Sequence, residues 1–140
     1  VLALRGDLPE GETRPRDACF QHADALVREI RAHGGFCVGG ACYPEGHVES
    51  ASQEEDIAYL KQKVEAGCDF LTTQMFFDNN VLYRFLYKLY AKGIAIPVLA
   101  GIMPVTNKKQ IARIVRLSGT SLPPRLTLLQ TACAACTFIP

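Results

Sequence analysis

The chain has 140 residues, a length that fits one domain, and its 49% apolar and 21% charged residues are ordinary for a globular protein. A formal net charge of +1 argues against a nucleic-acid or membrane partner held by bulk electrostatics. No apolar run reaches the roughly 18–20 residues that span a bilayer, and no secretory signal pattern opens the chain. These features predict a cytoplasmic protein with no nucleic-acid and no membrane partner.

The six cysteines are scattered along the chain. Cys37 and Cys68 lie inside apolar runs, which suits reduced, buried thiols better than a disulfide framework. The pair Cys133 and Cys136 has the C-x-x-C spacing of a metal or redox module. A zinc site wants four ligands, and no second pair or nearby His accompanies this one, so we expect no metal site.

The first half of the chain alternates apolar runs with helical patterns. VLAL (1–4) predicts a strand, residues 17–33 predict a helix that Gly34 stops, and FCVGGAC (36–42) predicts a second strand. A second helix starts after Ser52, because Ser52 and Glu55 have the S-x-x-E spacing of a capping box.

The second half repeats this order. FLTTQMFF (70–77) and IPVLAGIM (96–103) predict strands, while residues 80–92 and a segment starting near Asn107 predict helices. A strand about every 30 residues, with a helix after each, is typical of parallel βαβ units with right-handed crossovers. The stretch from Leu126 to the end of the chain carries no charged residue and does not continue this rhythm.

Unusual polar residues follow the predicted strands, where parallel α/β folds bind their ligands. Arg5, Gly6 and Asp7 end the first strand, the loop with His47 follows the second, and Gln74 interrupts the third. Plainer explanations exist, because an Asp after a strand is often a turn former and an exposed Arg often forms a weak ion pair. An amide inside an apolar strand, as at Gln74, needs hydrogen-bond partners; neighbouring backbone could supply them, and a ligand at this strand end is at least as good a candidate.

Four segments together resemble the methylenetetrahydrofolate reductase family in its bacterial form: LRGD, AxYPEGH, ExDIxxLKxKVxAGxDFxxTQxFFD and GIMPVTNxKQ. The resemblance covers about residues 1–124 and implies about half of a (βα)8 barrel that carries FAD at the carboxyl ends of its strands. It implies FAD-dependent reduction of 5,10-methylenetetrahydrofolate to 5-methyltetrahydrofolate with NAD(P)H, in one-carbon metabolism and methionine supply. Members of the family form homo-oligomers.

The resemblance also implies roles for individual residues. Asp7 is the catalytic residue beside the flavin and the pterin, and Asp7, Gln74 and Gln110 contact the folate substrate. The implied FAD contacts are Arg5, Gly6, Asp7, His22, Ala23, Tyr43, His47, Asp56 and Lys63. His22 is a departure, since other members often have Tyr there. The family's general-acid Glu stands on a barrel strand that we do not find in this chain.

We therefore expect residues 1–124 to form part of a catalytic barrel domain and residues 125–140 to be a divergent, poorly specified tail. Open sheet edges would make the isolated chain aggregation-prone, and we expect it to be incomplete and inactive. Two alternatives stay open: another (βα)8 enzyme that binds a phosphorylated ligand through Arg5, His47 and Lys63, or a noncatalytic fragment.

Overall fold

The computed structural model describes residues 1–6, 20, 22–104 and 108–132. Strands and helices alternate along this part of the chain until a final pair of helices. In chain order the elements are β1 (Leu2–Ala3), α1 (Ala23–His33), β2 (Gly39–Cys42), α2 (Gln53–Glu65), β3 (Phe70–Thr73), α3 (Asn79–Ala91), β4 (Val98–Leu99), α4 (Lys108–Ser118) and α5 (Pro124–Ala132).

The four strands form one parallel sheet in the order β1-β2-β3-β4, which confirms the predicted fold class of parallel βα units. Leu2 pairs with Gly39, and Gly39 pairs in turn with Phe70. The strands are shorter than their apolar runs, because the flanking residues leave the ladder to enter loops. Sequential order with every neighbour parallel is the arrangement of an arc of a (βα)8 barrel.

Side-chain caps fix where two helices begin. The hydroxyl of Ser52 accepts a hydrogen bond from the backbone N–H of Glu55 at 3.1 Å, and the Glu55 carboxylate accepts one from Ala51 N at 2.7 Å. The Ser52 bond confirms the predicted cap of α2, whereas the Glu55 carboxylate reaches the N–H of the residue before the cap instead of that of Ser52 itself. At α3 the carboxylate of Asp78 accepts from Asn80 N at 2.9 Å.

The core lies between the sheet and helices α1, α2 and α3, in two clusters. One cluster joins the middle strands to α2 and α3: Cys42, Ile57, Leu60, Leu71, Phe85, Leu89 and Ile94. The other lies under α1: Ala3, Val27, Val38 and Cys68. Ile96 packs against both clusters, so the apolar faces of successive βα units form a continuous layer.

The end of the chain differs in part from the expectation of a poorly specified tail. Residues 124–132 form α5, although Leu128 on this helix is exposed. The predicted boundary at residue 124 stays a prediction, and Cys133 and Cys136 lie outside the described residues. Cys37, Cys42 and Cys68 are free thiols; Cys68 is buried as predicted, whereas Cys37 is exposed, so the prediction of a buried thiol is wrong there. In the part of the chain that the structure describes, no helix has the length and apolar character to span a membrane.

Candidate functional site

The carboxyl ends of β1 and β2 open into a cavity of about 390 Å³. Strand ends, the start of α1 and one face of α2 form its walls. Eight of the predicted FAD contacts line this cavity: Arg5, Gly6, His22, Ala23, Tyr43, His47, Asp56 and Lys63. The ninth, Asp7, lies outside the described residues. The structure thus brings together every predicted cofactor residue that it describes.

A tight turn after β2 carries two of these residues into the cavity. Gly46 N donates to Tyr43 O at 3.0 Å. The φ of Gly46 is 93°, a backbone conformation that residues other than glycine rarely adopt. The chain therefore reverses, and the rings of Tyr43 and His47 meet edge to face with their centroids 4.5 Å apart. His47 Nδ1 accepts from Glu49 N at 3.1 Å, so the proton of the neutral ring resides on Nε2, a hydrogen-bond donor.

Helix α2 contributes a carboxylate and an ammonium group to the same wall. Asp56 and Lys63 are seven residues apart, two helical turns, so both lie on the face that lines the cavity. The Asp56 side chain is almost buried, at 8% exposure, and accepts a long hydrogen bond of 3.4 Å from Ser50 Oγ. Lys63 Nζ donates to the carbonyl of Ala41 on β2 at 2.7 Å, which fixes the ammonium group at the cavity.

Burial shifts the pKa of both α2 groups toward their neutral forms. Loss of water raises the pKa of Asp56, although Lys63 and His47 oppose this shift. Loss of water also lowers the pKa of Lys63, although the negative charge of Asp56 opposes it. Each charge is thus poorly solvated and depends on the other. An anionic ligand in the cavity would favour the charged form of Lys63.

Arg5 is held by a partner that the sequence did not reveal. Its Nη2 atom lies 2.8 Å from Oε1 and 2.7 Å from Oε2 of Glu49, in the loop after β2. The Arg5 side chain is only 19% exposed, so the pair fixes the guanidinium at the cavity wall. Nothing in the spacing of residues 5 and 49 indicates this contact. Burial also raises the pKa of the nearby Cys42 thiol to about 12, so this cysteine is an unreactive core residue.

Of the predicted substrate residues, Gln74 lies outside this cavity, and Asp7 lies outside the described residues. Gln74 lines a second, much smaller crevice of about 10 Å³, together with residues of the loop after β2 and the end of α4. Its Oε1 atom accepts from Met75 N at 3.0 Å, so its amide is partly satisfied by the backbone. Gln110 lies in the first turn of α4, and its side chain is outside what the structure describes. Among the described residues no group of His, Cys, Asp and Glu could hold a metal ion.

Comparisons with known proteins agree on one family. The family model described as methylenetetrahydrofolate reductase matches residues 1–132. Methylenetetrahydrofolate reductase 1 of Schizosaccharomyces pombe is 40% identical over 126 residues, and this match covers 88% of the chain and 21% of the relative. A probable methylenetetrahydrofolate reductase (NADPH) of Caenorhabditis elegans is 38% identical over 128 residues, covering 90% of the chain and 19% of the relative. A relative from Oryza sativa is named a probable methylenetetrahydrofolate reductase (NADH).

A solved structure supports the same fold. It is that of an uncharacterized protein from Clostridium thermocellum described as binding two copies of 5-methyl-5,6,7,8-tetrahydrofolic acid. The two structures align with a TM-score of 0.58 at 20% sequence identity, over 79% of this chain and 39% of that one. The chain spans about a fifth of the length of the curated relatives it matches. By the family model and these relatives, it belongs to the methylenetetrahydrofolate reductase family.

Proposed function

We propose that the whole protein containing this chain reduces 5,10-methylenetetrahydrofolate to 5-methyltetrahydrofolate, with FAD as cofactor and NAD(P)H as reductant. The observation that carries the proposal is the cavity at the carboxyl ends of β1 and β2. It gathers eight residues that the family resemblance assigns to FAD, although they come from four separate stretches of the chain. Membership of the reductase family supports the choice of reaction.

The residues of the cavity fit a dinucleotide that carries a pyrophosphate. Arg5 and Lys63 supply two cations on the same cavity, and His47 supplies a ring N–H donor. Asp56 is a carboxylate that suits the hydroxyl groups of a ribityl or ribose chain. Gly6, with φ 79°, lets the backbone turn without a side chain at the wall. When bound, FAD supplies the hydride-transfer chemistry, and the protein supplies binding and orientation.

The structure describes fewer of the side chains that are proposed to bind folate. In this proposal Asp7 accepts hydrogen bonds from the pterin, while Gln74 and Gln110 hold the folate. The Clostridium thermocellum protein shares this fold and is described as binding 5-methyl-5,6,7,8-tetrahydrofolic acid, which supports a folate ligand for the proposed reductase. Relatives named for NADH and for NADPH match almost equally well, so the proposal covers both reductants.

The isolated chain is proposed to be incomplete rather than an enzyme by itself. In the described part, β1 and β4 each pair with one neighbour only, so the sheet has two open edges. Leu99 on β4 and Ile102 just after it are 53% and 83% exposed, which leaves apolar surface beside one of those edges. We propose that the whole protein supplies the remaining barrel strands. We also propose that it forms a homo-oligomer and lies in the cytoplasm.

A reductase assay of the whole protein tests the proposal. We expect the purified protein to retain a yellow flavin and to oxidise NADH or NADPH in proportion to added methylenetetrahydrofolate, with methyltetrahydrofolate as product. Purification with a phosphorylated ligand other than a flavin, and no folate-dependent oxidation, would favour the alternative (βα)8 enzyme instead. The matched variant is Gln74→Ala, which we expect to raise KM for the folate while flavin retention is unchanged.

A further inference from the structure

The last residue of α4 and the three residues after it are anchored on the loops that carry the predicted site residues. We call this segment, Ser118–Ser121, the α4 latch. Ser121 N donates to both carboxylate oxygens of Glu45, at 3.0 and 3.1 Å, and Glu45 lies in the turn between Tyr43 and His47. A carboxylate that accepts from a backbone N–H is a stronger acceptor than a neutral group. The latch is therefore tied to the loop that delivers two predicted FAD contacts.

Thr120 ties the same segment to the loop after β3. Its side chain is 3% exposed, and its hydroxyl donates to the carbonyl of Met75 at 3.2 Å while accepting from Ser118 Oγ at 2.9 Å. Met75 follows Gln74 directly, and Gln74 and Thr120 line the same small crevice. A buried hydroxyl with both partners fixed allows little movement of the segment.

Gly119 packs closely against the loop after β2, so the latch has little room to move. This glycine has φ 66°, and a Cβ atom built on it would lie 2.9 Å from Cγ1 of Val48, in the loop after β2. The latch thus contacts the loops after β2 and β3 within four consecutive residues. At the other end of α4, eight residues before Ser118, stands Gln110.

We infer that Thr120 and Glu45 are positioning residues that set the direction of α4, and with it Gln110, relative to Gln74 and the cofactor cavity. The inference rests on the reductase function proposed above and deepens it. Neither residue lines the 390 Å³ cavity. The turn with Tyr43 and His47 also keeps its own hydrogen bond, from Gly46 N to Tyr43 O, when the latch is released. Loss of Thr120 or Glu45 is therefore expected to affect the folate side of the site and to spare the binding of FAD.

The test compares Thr120→Val, Thr120→Ser and Glu45→Ala in the whole protein with the unchanged protein. Thr120→Val removes the hydroxyl at nearly constant volume, and we expect KM for methylenetetrahydrofolate to rise about three- to tenfold, the scale of one lost hydrogen bond. Thr120→Ser keeps the hydroxyl and should restore a KM within about twofold of the unchanged protein. Glu45→Ala alters an exposed side chain, so it tests the same inference if the valine variant fails to fold. The FAD dissociation constant should change by less than about twofold in each.

The control is Asp69→Asn, which weakens the opposite end of the sheet, where no predicted site residue lies. A merely structural role of the latch would lower the unfolding temperature and leave KM unchanged, as this control should. That result for both Thr120→Val and Glu45→Ala would overturn the inference. An inactive unchanged protein would instead overturn the proposed reductase function, so the two failures are distinguishable.

Discussion

The two ends of the parallel sheet carry similar charged residues in very different surroundings. At the amino end of β2 and β3, Arg31 and Asp69 form hydrogen bonds with the backbone and an ion pair with each other. At the carboxyl end, Asp56 and Lys63 are less well solvated, and burial pushes the pKa of each toward its neutral form. The comparison teaches that the same residue types stabilise the fold at one end and line the cavity proposed to bind FAD at the other.

The amino end is a network that joins α1 to two strands. Arg31 Nε donates to Gly67 O at 2.7 Å, Arg31 Nη1 donates to Phe36 O at 2.9 Å, and Arg31 Nη2 pairs with Asp69. The other carboxylate oxygen of Asp69 accepts from Val38 N at 2.7 Å. These bonds lower the pKa of the Asp69 carboxyl, because they favour its charged form. This end therefore gains stability from its charges.

The largest expected effect tests the binding end of the comparison. Lys63→Met removes the ammonium group while keeping the length of the side chain. We expect FAD affinity in the whole protein to fall about 30-fold, since a charge-assisted hydrogen bond contributes about 2 kcal/mol. Flavin fluorescence titration measures this change. An unaltered dissociation constant in the folded variant would remove Lys63 from the proposed FAD site.

A smaller effect is expected at the stabilising end. Arg31→Met leaves two backbone carbonyls and Asp69 without their donor, so we expect the free energy of unfolding to fall by about 1–3 kcal/mol. Urea unfolding of the whole protein, followed by circular dichroism, measures the loss. FAD affinity of the folded variant should match that of the unchanged protein. A large drop in affinity with no loss of stability would reverse the roles given to the two ends.

The smallest effects concern pH, and they have opposite signs at the two ends. Because the pKa of Asp69 is lowered by folding, its contribution to stability is present above its ordinary value of 3.8 and is lost as pH falls through the folded value. Because the pKa of Asp56 is raised, its contribution is present below 3.8 and is lost as pH rises through the folded value.

The variants Asp69→Asn and Asp56→Asn isolate these contributions in protein free of FAD. The stability deficit of Asp69→Asn relative to the unchanged protein should shrink as the pH is lowered. The stability of the unchanged protein relative to Asp56→Asn should decline as the pH is raised. Parallel pH curves for the two comparisons would contradict the opposite shifts. Unfolding in urea at a series of pH values provides the measurement.

The order of strands and helices could be predicted from the sequence because buried parallel strands are continuous apolar runs. The runs overestimated strand length, since apolar residues such as Phe36 and Phe77 stand outside the hydrogen-bonded ladder. The capping box at Ser52 was readable because its partners lie three residues apart. The helix over residues 124–132 was missed because its apolar residues form no stripe along one face.

The residues alone predicted site positions only where an unusual polar residue follows a predicted strand. Arg5 and His47 follow strands, so their position was readable, and the family resemblance added Asp56 and Lys63 on α2. The partners that hold them were not readable, because Glu49 meets Arg5 across 44 positions of the chain. Long-range pairs of this kind depend on how loops fold back, which no local pattern encodes.

The most direct test of the central claim compares two arginines in one FAD titration of the whole protein. Arg5 lines the cavity, whereas Arg84 is exposed on α3, where its Nε donates to Asn80 O at 3.3 Å. We predict that Arg5→Met weakens FAD binding about tenfold or more, and that Arg84→Met changes it by less than about twofold. Equal effects of the two substitutions would contradict the claim that the carboxyl end of the sheet binds the cofactor.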